Sequence, residues 1–99
     1  MNTRATQETS GAWTFLSNHG HVLVCVVRDP NVRVREIAQA VGVTERAVQR
    51  ILSELEEANV IVRTRQGRRT HYEVNEHLPL RHPIEARHSV GELVRAVRS

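Results

Sequence analysis

Lysine is missing from this chain altogether. Its 14 basic residues are all arginine, set against 11 acidic ones, for a formal net charge of +3. The codon usage of a GC-rich genome accounts for most of that bias, yet the chemical consequence stands. Arginine presents a planar fork of donors suited to phosphate and to guanine edges. The net charge favours a polyanionic partner without naming one. Cysteine is nearly absent too: Cys25 stands alone, which excludes an internal disulfide and fits a reducing compartment. No apolar run approaches the ~20 residues of a membrane helix. No basic-then-apolar leader opens the chain, so the expected location is the cytoplasm, with no membrane partner. Nucleophile elbows, phosphate-cradling glycine loops and paired catalytic carboxylates are missing, as is any pattern for ATP or NAD. A chain of this length is not expected to enclose a deep pocket, and neither catalysis nor a cofactor is expected. There are no internal repeats or low-complexity segments.

What is present is 39% apolar residues, enough for a folded domain rather than a disordered one. The length makes one domain with a modest core and much to gain from pairing with another copy. Residues 1–11 are polar and aperiodic and read as a loose tail; residues 12–99 are the expected domain, beginning with Trp13, Phe15 and Leu16. Residues 18–29, NHGHVLVCVVRD, contain a β-branched run that could be a buried strand. Helical spacing of Leu16, Leu23, Val24 and Val27, with a stop at Asp29-Pro30, predicts a helix instead. A short strand is predicted at residues 32–34.

Residues 35–55, REIAQAVGVTERAVQRILSEL, carry the most information. Ile37, Ala38 and Val41 share one face of a short helix. Gly42 suits the left-handed backbone that ends a helix tightly, and Thr44 is a good cap for the next helix, with Glu45 in its first turn. That helix runs to about Ala58 and turns Val48, Ile51, Leu52 and Leu55 inward. Small Ala38 lets the two helices approach. Residues 60–65 and 70–74 then flank Gln66-Gly67-Arg68-Arg69 as a hairpin, with Val62 and Tyr72 expected inward and Arg63, Arg65 and His71 outward. Residues 75–83 form a proline-containing loop, and residues 84–97 a last helix striped by Val90, Leu93, Val94 and Val97.

The predicted fold class is α+β, mainly α: a winged helix-turn-helix with a two-stranded wing and a C-terminal helix. Thr44, Glu45, Arg46, Gln49, Arg50 and Ser53 are left on the outer face of the second motif helix, whose N-terminal end meets base edges in such folds. Arg46 and Arg50 lie four apart, on one face. Either can bond guanine bidentately, and Gln49 can read adenine. Arg65, Gly67, Arg68, Arg69 and His71 form the wing. Its clustered charges repel unless an anion is near, which points to phosphate or minor-groove contact. Double-stranded DNA is the expected partner.

From Trp13 to Val97 the order of elements resembles the winged helix-turn-helix transcription regulators of the ArsR/MarR kind. It looks most like the short single-domain regulators of actinobacteria. The stretches that carry the resemblance are TFLSNHGHVLVCVVRDP, REIAQAVGVTERAVQRILSELEEANVI, GRRTHYEV and LRHPIEA. It implies a cytoplasmic homodimer, usually a repressor, on a roughly palindromic operator. Thr44, Glu45, Arg46, Gln49 and Arg50 would form its recognition surface, and Arg68 and Arg69 its wing. The paired cysteines or complete Asp/His set of metal-sensing relatives are missing, and the last helix is shorter than in MarR proteins. The expected dimer contacts are Trp13, Leu16, Val90, Leu93, Val94 and Val97, because a two-fold operator demands a two-fold protein.

Two other functions fit parts of the sequence. Glu36, Glu45, Glu54, Glu56 and Glu57 would suit a winged-helix module that binds protein rather than DNA. Six histidines would suit an effector or metal sensor: His77, His82 and His88 lie near Glu85, although without regular ligand spacing, so no metal site is expected. His19 and His21 splay on a helix. Cys25 is expected to fill core space as a small hydrophobe.

Overall fold

The first helix is set by its two ends. The Ser17 hydroxyl accepts from the Gly20 N–H at 3.4 Å, satisfying one of the free donors of a helix start, and Pro30 bars continuation beyond Asp29. In the computed structural model, which describes residues 12–98, α1 accordingly spans Asn18–Arg28. The tail expected over residues 1–11 lies outside the described residues. The β-branched run is helical because Val22, Leu23 and Val26 fall on one buried face, and packing of that face outweighs a weak strand preference.

Two further helices follow, α2 over Val34–Val41 and α3 over Glu45–Glu57. The strand expected at residues 32–34 does not form. The Glu36 carboxylate accepts from the Arg33 N–H at 3.0 Å and starts α2 at Val34. The preceding turn meets the sheet through the Tyr72 N–H, which donates to the Pro30 carbonyl at 2.8 Å. Gly42 has φ 85°, and its N–H and that of Val43 both donate to the Ala38 carbonyl, at 2.8 and 3.1 Å. Ala38 is itself buried. The Thr44 hydroxyl then accepts from the Ala47 N–H at 3.0 Å. At the far end of α3, Asn59 takes φ 65° and lets the Val60 N–H return to the Leu55 carbonyl at 2.9 Å. Asparagine tolerates this left-handed cap better than most residues do.

The hairpin joins β1, Ile61–Gln66, to β2, Arg69–Val74, in antiparallel register from Ile61 opposite Val74 to Gln66 opposite Arg69. Tyr72 of β2 faces inward as expected, but the phase of β1 is the opposite of the expected one. Side chains alternate along a strand, so Arg63 and Arg65 share a face with Ile61 and with their partners Tyr72 and Thr70. Ile61 and Tyr72 are buried, whereas Val62 is 53% exposed. The reason is the exit from α3: Val60 and Ile61 both enter the core there, and Ile61 sets the inward parity. Arg63 tolerates the inner side because its guanidinium reaches the Glu56 carboxylate, at 2.8 and 3.1 Å.

The last helix, α4, spans Val90–Val97 rather than starting at residue 84. Its start is set by a capping box. The Ser89 hydroxyl accepts from the Glu92 N–H at 3.2 Å, and the Glu92 carboxylate accepts from the Ser89 N–H at 2.7 Å. Residues 83–87 lie in turns, and the Leu80 N–H donates to the His88 carbonyl at 2.9 Å, closing this segment into a loop. The core gathers Val22 and Val26 of α1, Ile37 of α2, Val48, Ile51 and Leu52 of α3, Ile61 of β1 and Val94 of α4. No helix among the described residues is long and apolar enough to cross a membrane.

Candidate nucleic-acid interface

Helix α3 has two chemically distinct sides. Val48, Ile51, Leu52 and Leu55 are buried and fasten it across α1 and α2. Thr44, Glu45, Arg46, Gln49, Arg50 and Ser53 are all exposed. Arg46 and Gln49 have no hydrogen-bond or ion-pair partner among the described residues, so their donors are open to a ligand. Arg50 stands 3.5 Å from the Glu54 carboxylate, and Ser53 accepts a long bond, 3.4 Å, from Arg63. After Glu45 in the first turn, the exposed face therefore runs from uncommitted Arg46 and Gln49 to a C-terminal end where Glu54 and Glu56 are paired. Glu54 is held by His19 at 2.6 Å and Glu56 by Arg63 at 2.8 Å.

The wing residues are less alike than their sequence implied. Arg68, at the hairpin tip, has no partner among the described residues. Arg65 donates to the Gly67 carbonyl at 3.0 Å, across the turn where Gly67 takes φ 63°. Arg69 reaches back to the Asn31 carbonyl at 2.6 Å, and the His71 ring meets the Asn31 side chain at 3.0 Å. Each guanidinium has five donors, so Arg65 and Arg69 keep several for a phosphate while being held in place. Sequence reasoning missed Asn31 and Arg63. Asn31 is distant from the wing in the chain and nothing local marks it. Arg63 was missed because its inward side follows the phase of β1, which the exit from α3 sets.

The residues expected to pair two copies divide into two sets. Val90 and Val94 are buried within their own chain, Val94 completely, because α4 packs on α1 and closes the core. They are not available to a partner, which corrects the expectation. Trp13 is 74% exposed and Phe15 is 93% exposed; their rings stack edge to face at 4.9 Å. Val97 is partly exposed, and Leu16 and Leu93 are half-buried. Phe15, Leu16 and Leu93 border an open cleft of about 820 Å³ between the start of α1, the end of α3 and the residue 78–81 segment, with His19 and Glu54 on its rim.

Among the described residues no three His, Cys, Asp or Glu side chains gather as a metal would need. His82 accepts from the Ile84 N–H at 3.1 Å and His88 meets Glu92 at 3.3 Å. Cys25 is half-buried, and burial pushes its thiol above the ordinary range, with Arg28 opposing.

Residues 17–62, from the cap of α1 into β1, match the family model described as winged helix-turn-helix DNA-binding. The fold is a winged helix-turn-helix. A solved structure with the same fold is the PcaV transcriptional regulator from Streptomyces coelicolor, crystallised with its natural ligand. It is 22% identical, with a TM-score of 0.53, over 61% of this chain and 45% of PcaV. The likeness is one of fold, and the match spans less than half of PcaV's length. No curated protein matches the chain. Within this winged helix-turn-helix, α2 and α3 are the two motif helices and β1–β2 the wing.

Proposed function

We propose that this winged helix-turn-helix protein is a cytoplasmic transcription regulator that binds double-stranded DNA sequence-specifically as a homodimer and represses. The observation that carries the reading is the division of α3. Its apolar side is locked into the core while Arg46 and Gln49 project unpaired from its N-terminal half, the part of a recognition helix that meets base edges. In this reading Arg46 and Gln49 read bases, Arg50 and Thr44 support them, and Arg65, Arg68 and Arg69 grip phosphates beside the groove. Glu45 stays at the helix start, where the dipole favours it. The exposed Trp13 and Phe15, with Leu16, Leu93 and Val97, form the contact between copies.

Selection of bound duplexes from a random library tests this. The expected result is an enriched, roughly palindromic motif whose affinity falls steeply with salt, as counterion release requires. A flat selection, with binding no better than to bulk duplex, would reject the reading. Sedimentation of the free protein and of its complex measures the two-copy stoichiometry directly.

A further inference from the structure

A histidine ring and a guanidinium on packed helices reach for one oxygen. His19 Nε2 of α1 lies 2.6 Å from Glu54 Oε1, and Arg50 Nη1 of α3 lies 3.5 Å from that same atom. Arg50 is one helical turn before Glu54 and belongs to the exposed face of the recognition helix. We propose that Glu54 is a positioning residue that holds Arg50 back along α3, and that protonation of His19 takes over the Glu54 carboxylate and releases Arg50 to DNA. The proposal rests on the DNA-binding reading above.

The chemistry follows from the groups present. Neutral His19 can donate its Nε2 proton to Glu54, but only the imidazolium cancels the carboxylate's charge. Histidine changes charge near neutral pH, while the hydrogen bond from His19 keeps the Glu54 carboxyl below the usual carboxylate range. Glu54 is thus ionised at neutral pH. The charged groups that line the cleft with His19 are Glu54 and Glu57 of α3 and Arg81 and Glu85 of the loop before α4, and Arg50 reaches the Glu54 carboxylate from along α3. His21, on its own helix, is turned to Asn18 at 3.2 Å. The neighbouring carboxylate Glu56 is already taken by Arg63, so Glu54 is the one in direct reach of Arg50. Arg50 and Glu54 are both substantially exposed, so the exchange occurs at the surface and changes affinity modestly.

The test is DNA affinity by fluorescence anisotropy on a selected duplex, between about pH 6 and pH 8, at fixed ionic strength. The wild type is compared with His19→Gln, Glu54→Gln and Arg50→Ala. His71→Gln serves as the control for a contribution from the wing histidine. Lowering the pH should tighten wild-type binding by about two- to fivefold more than it tightens His19→Gln, the scale of one exposed ion pair. Glu54→Gln should bind more tightly at the higher pH and lose the increment due to His19. Arg50→Ala should lose that increment as well. A wild-type pH profile in His19→Gln, or an increment that survives in Arg50→Ala, would overturn the exchange. NMR of the free protein reads the same coupling without DNA: the Arg50 Nε resonance should follow the His19 titration in the wild type and not in Glu54→Gln. If that coupling is present but no duplex binds at any pH, the DNA-binding reading fails and the exchange at Glu54 stands. If DNA binds and the coupling is absent, the exchange fails and the DNA-binding reading stands.

Discussion

Replacing Gly42 by alanine isolates the backbone term on which the motif's turn depends. Gly42 sits at φ 85°, and a Cβ built on it would meet nothing within 4 Å, so alanine there is free of steric clash. Its cost is torsional. An L-residue held in the left-handed region is strained by roughly 1–2 kcal/mol. Loss of unfolded-state freedom on replacing glycine returns about 0.4–1 kcal/mol. The expected net loss is therefore about 1 kcal/mol, which for a domain of this size lowers Tm by roughly 4–8 °C. The assay is urea denaturation at fixed protein concentration, where the midpoint should shift while the slope stays the same. Gly42→Asn is the internal control, because asparagine visits the left-handed region at lower cost, and it should lose clearly less than alanine. Gly67→Ala is the second control: φ is 63° and the space is likewise open, so the torsional cost should recur in the wing. An alanine variant as stable as the wild type would refute the reasoning. So would alanine and asparagine variants that fall equally, since that pattern belongs to a lost contact rather than to a torsion.

Other expectations follow from the same geometry. Arg46→Ala should cost ~1–3 kcal/mol on the selected operator and blur base preference at one position, whereas Arg68→Ala should weaken binding to all duplexes alike and reduce the salt slope by about one unit; competition assays against scrambled duplex check both. Leu52→Ala removes a fully buried side chain from the centre of α3 and should destabilise the fold by about 2–5 kcal/mol, as measured by the same urea titration. Burial raises both the Cys25 thiol and the Tyr72 phenol above their ordinary values of 9.0 and 10.0. Each folded-state pKa then lies above the unfolded one, so their contribution is intact below about pH 9 and is lost as the pH rises through the folded values. A thermal-melting series should show stability falling on that alkaline side, and thiol labelling of Cys25 should stay slow until then. Glu54 and Glu92 are shifted the other way, by hydrogen bonds from the His19 ring and the Ser89 backbone respectively. Their contribution is present above the ordinary carboxylate value of 4.5 and disappears as the pH falls through their lowered folded values.

Local chemistry was enough to read much of this molecule from its residues. Gly42 and Thr44 announce a turn because backbone torsion and capping depend on one or two side chains at fixed offsets, and both occupy the positions expected of them. The inward set Val48, Ile51, Leu52 and Leu55 follows from helical period alone, and the outward set of α3 is its complement. The start of α4 was misplaced: the expected helix began at residue 84, whereas the Ser89–Glu92 capping box starts it at Val90. What tertiary contact alone decided was parity and commitment. Whether Val62 or Ile61 faces inward depends on how the chain leaves α3, because a one-residue change of phase reverses every side chain of a strand. Whether Val90 and Val94 serve a partner or their own core depends on where α1 lies, since an apolar stripe is buried by whichever surface reaches it first. The sharing of Glu54 by His19 and Arg50, and of Asn31 by Arg69 and His71, joins residues far apart in the chain. Sequence determined the periodic and the local, where neighbours along the backbone set the physics; the fold decided which distant charges meet.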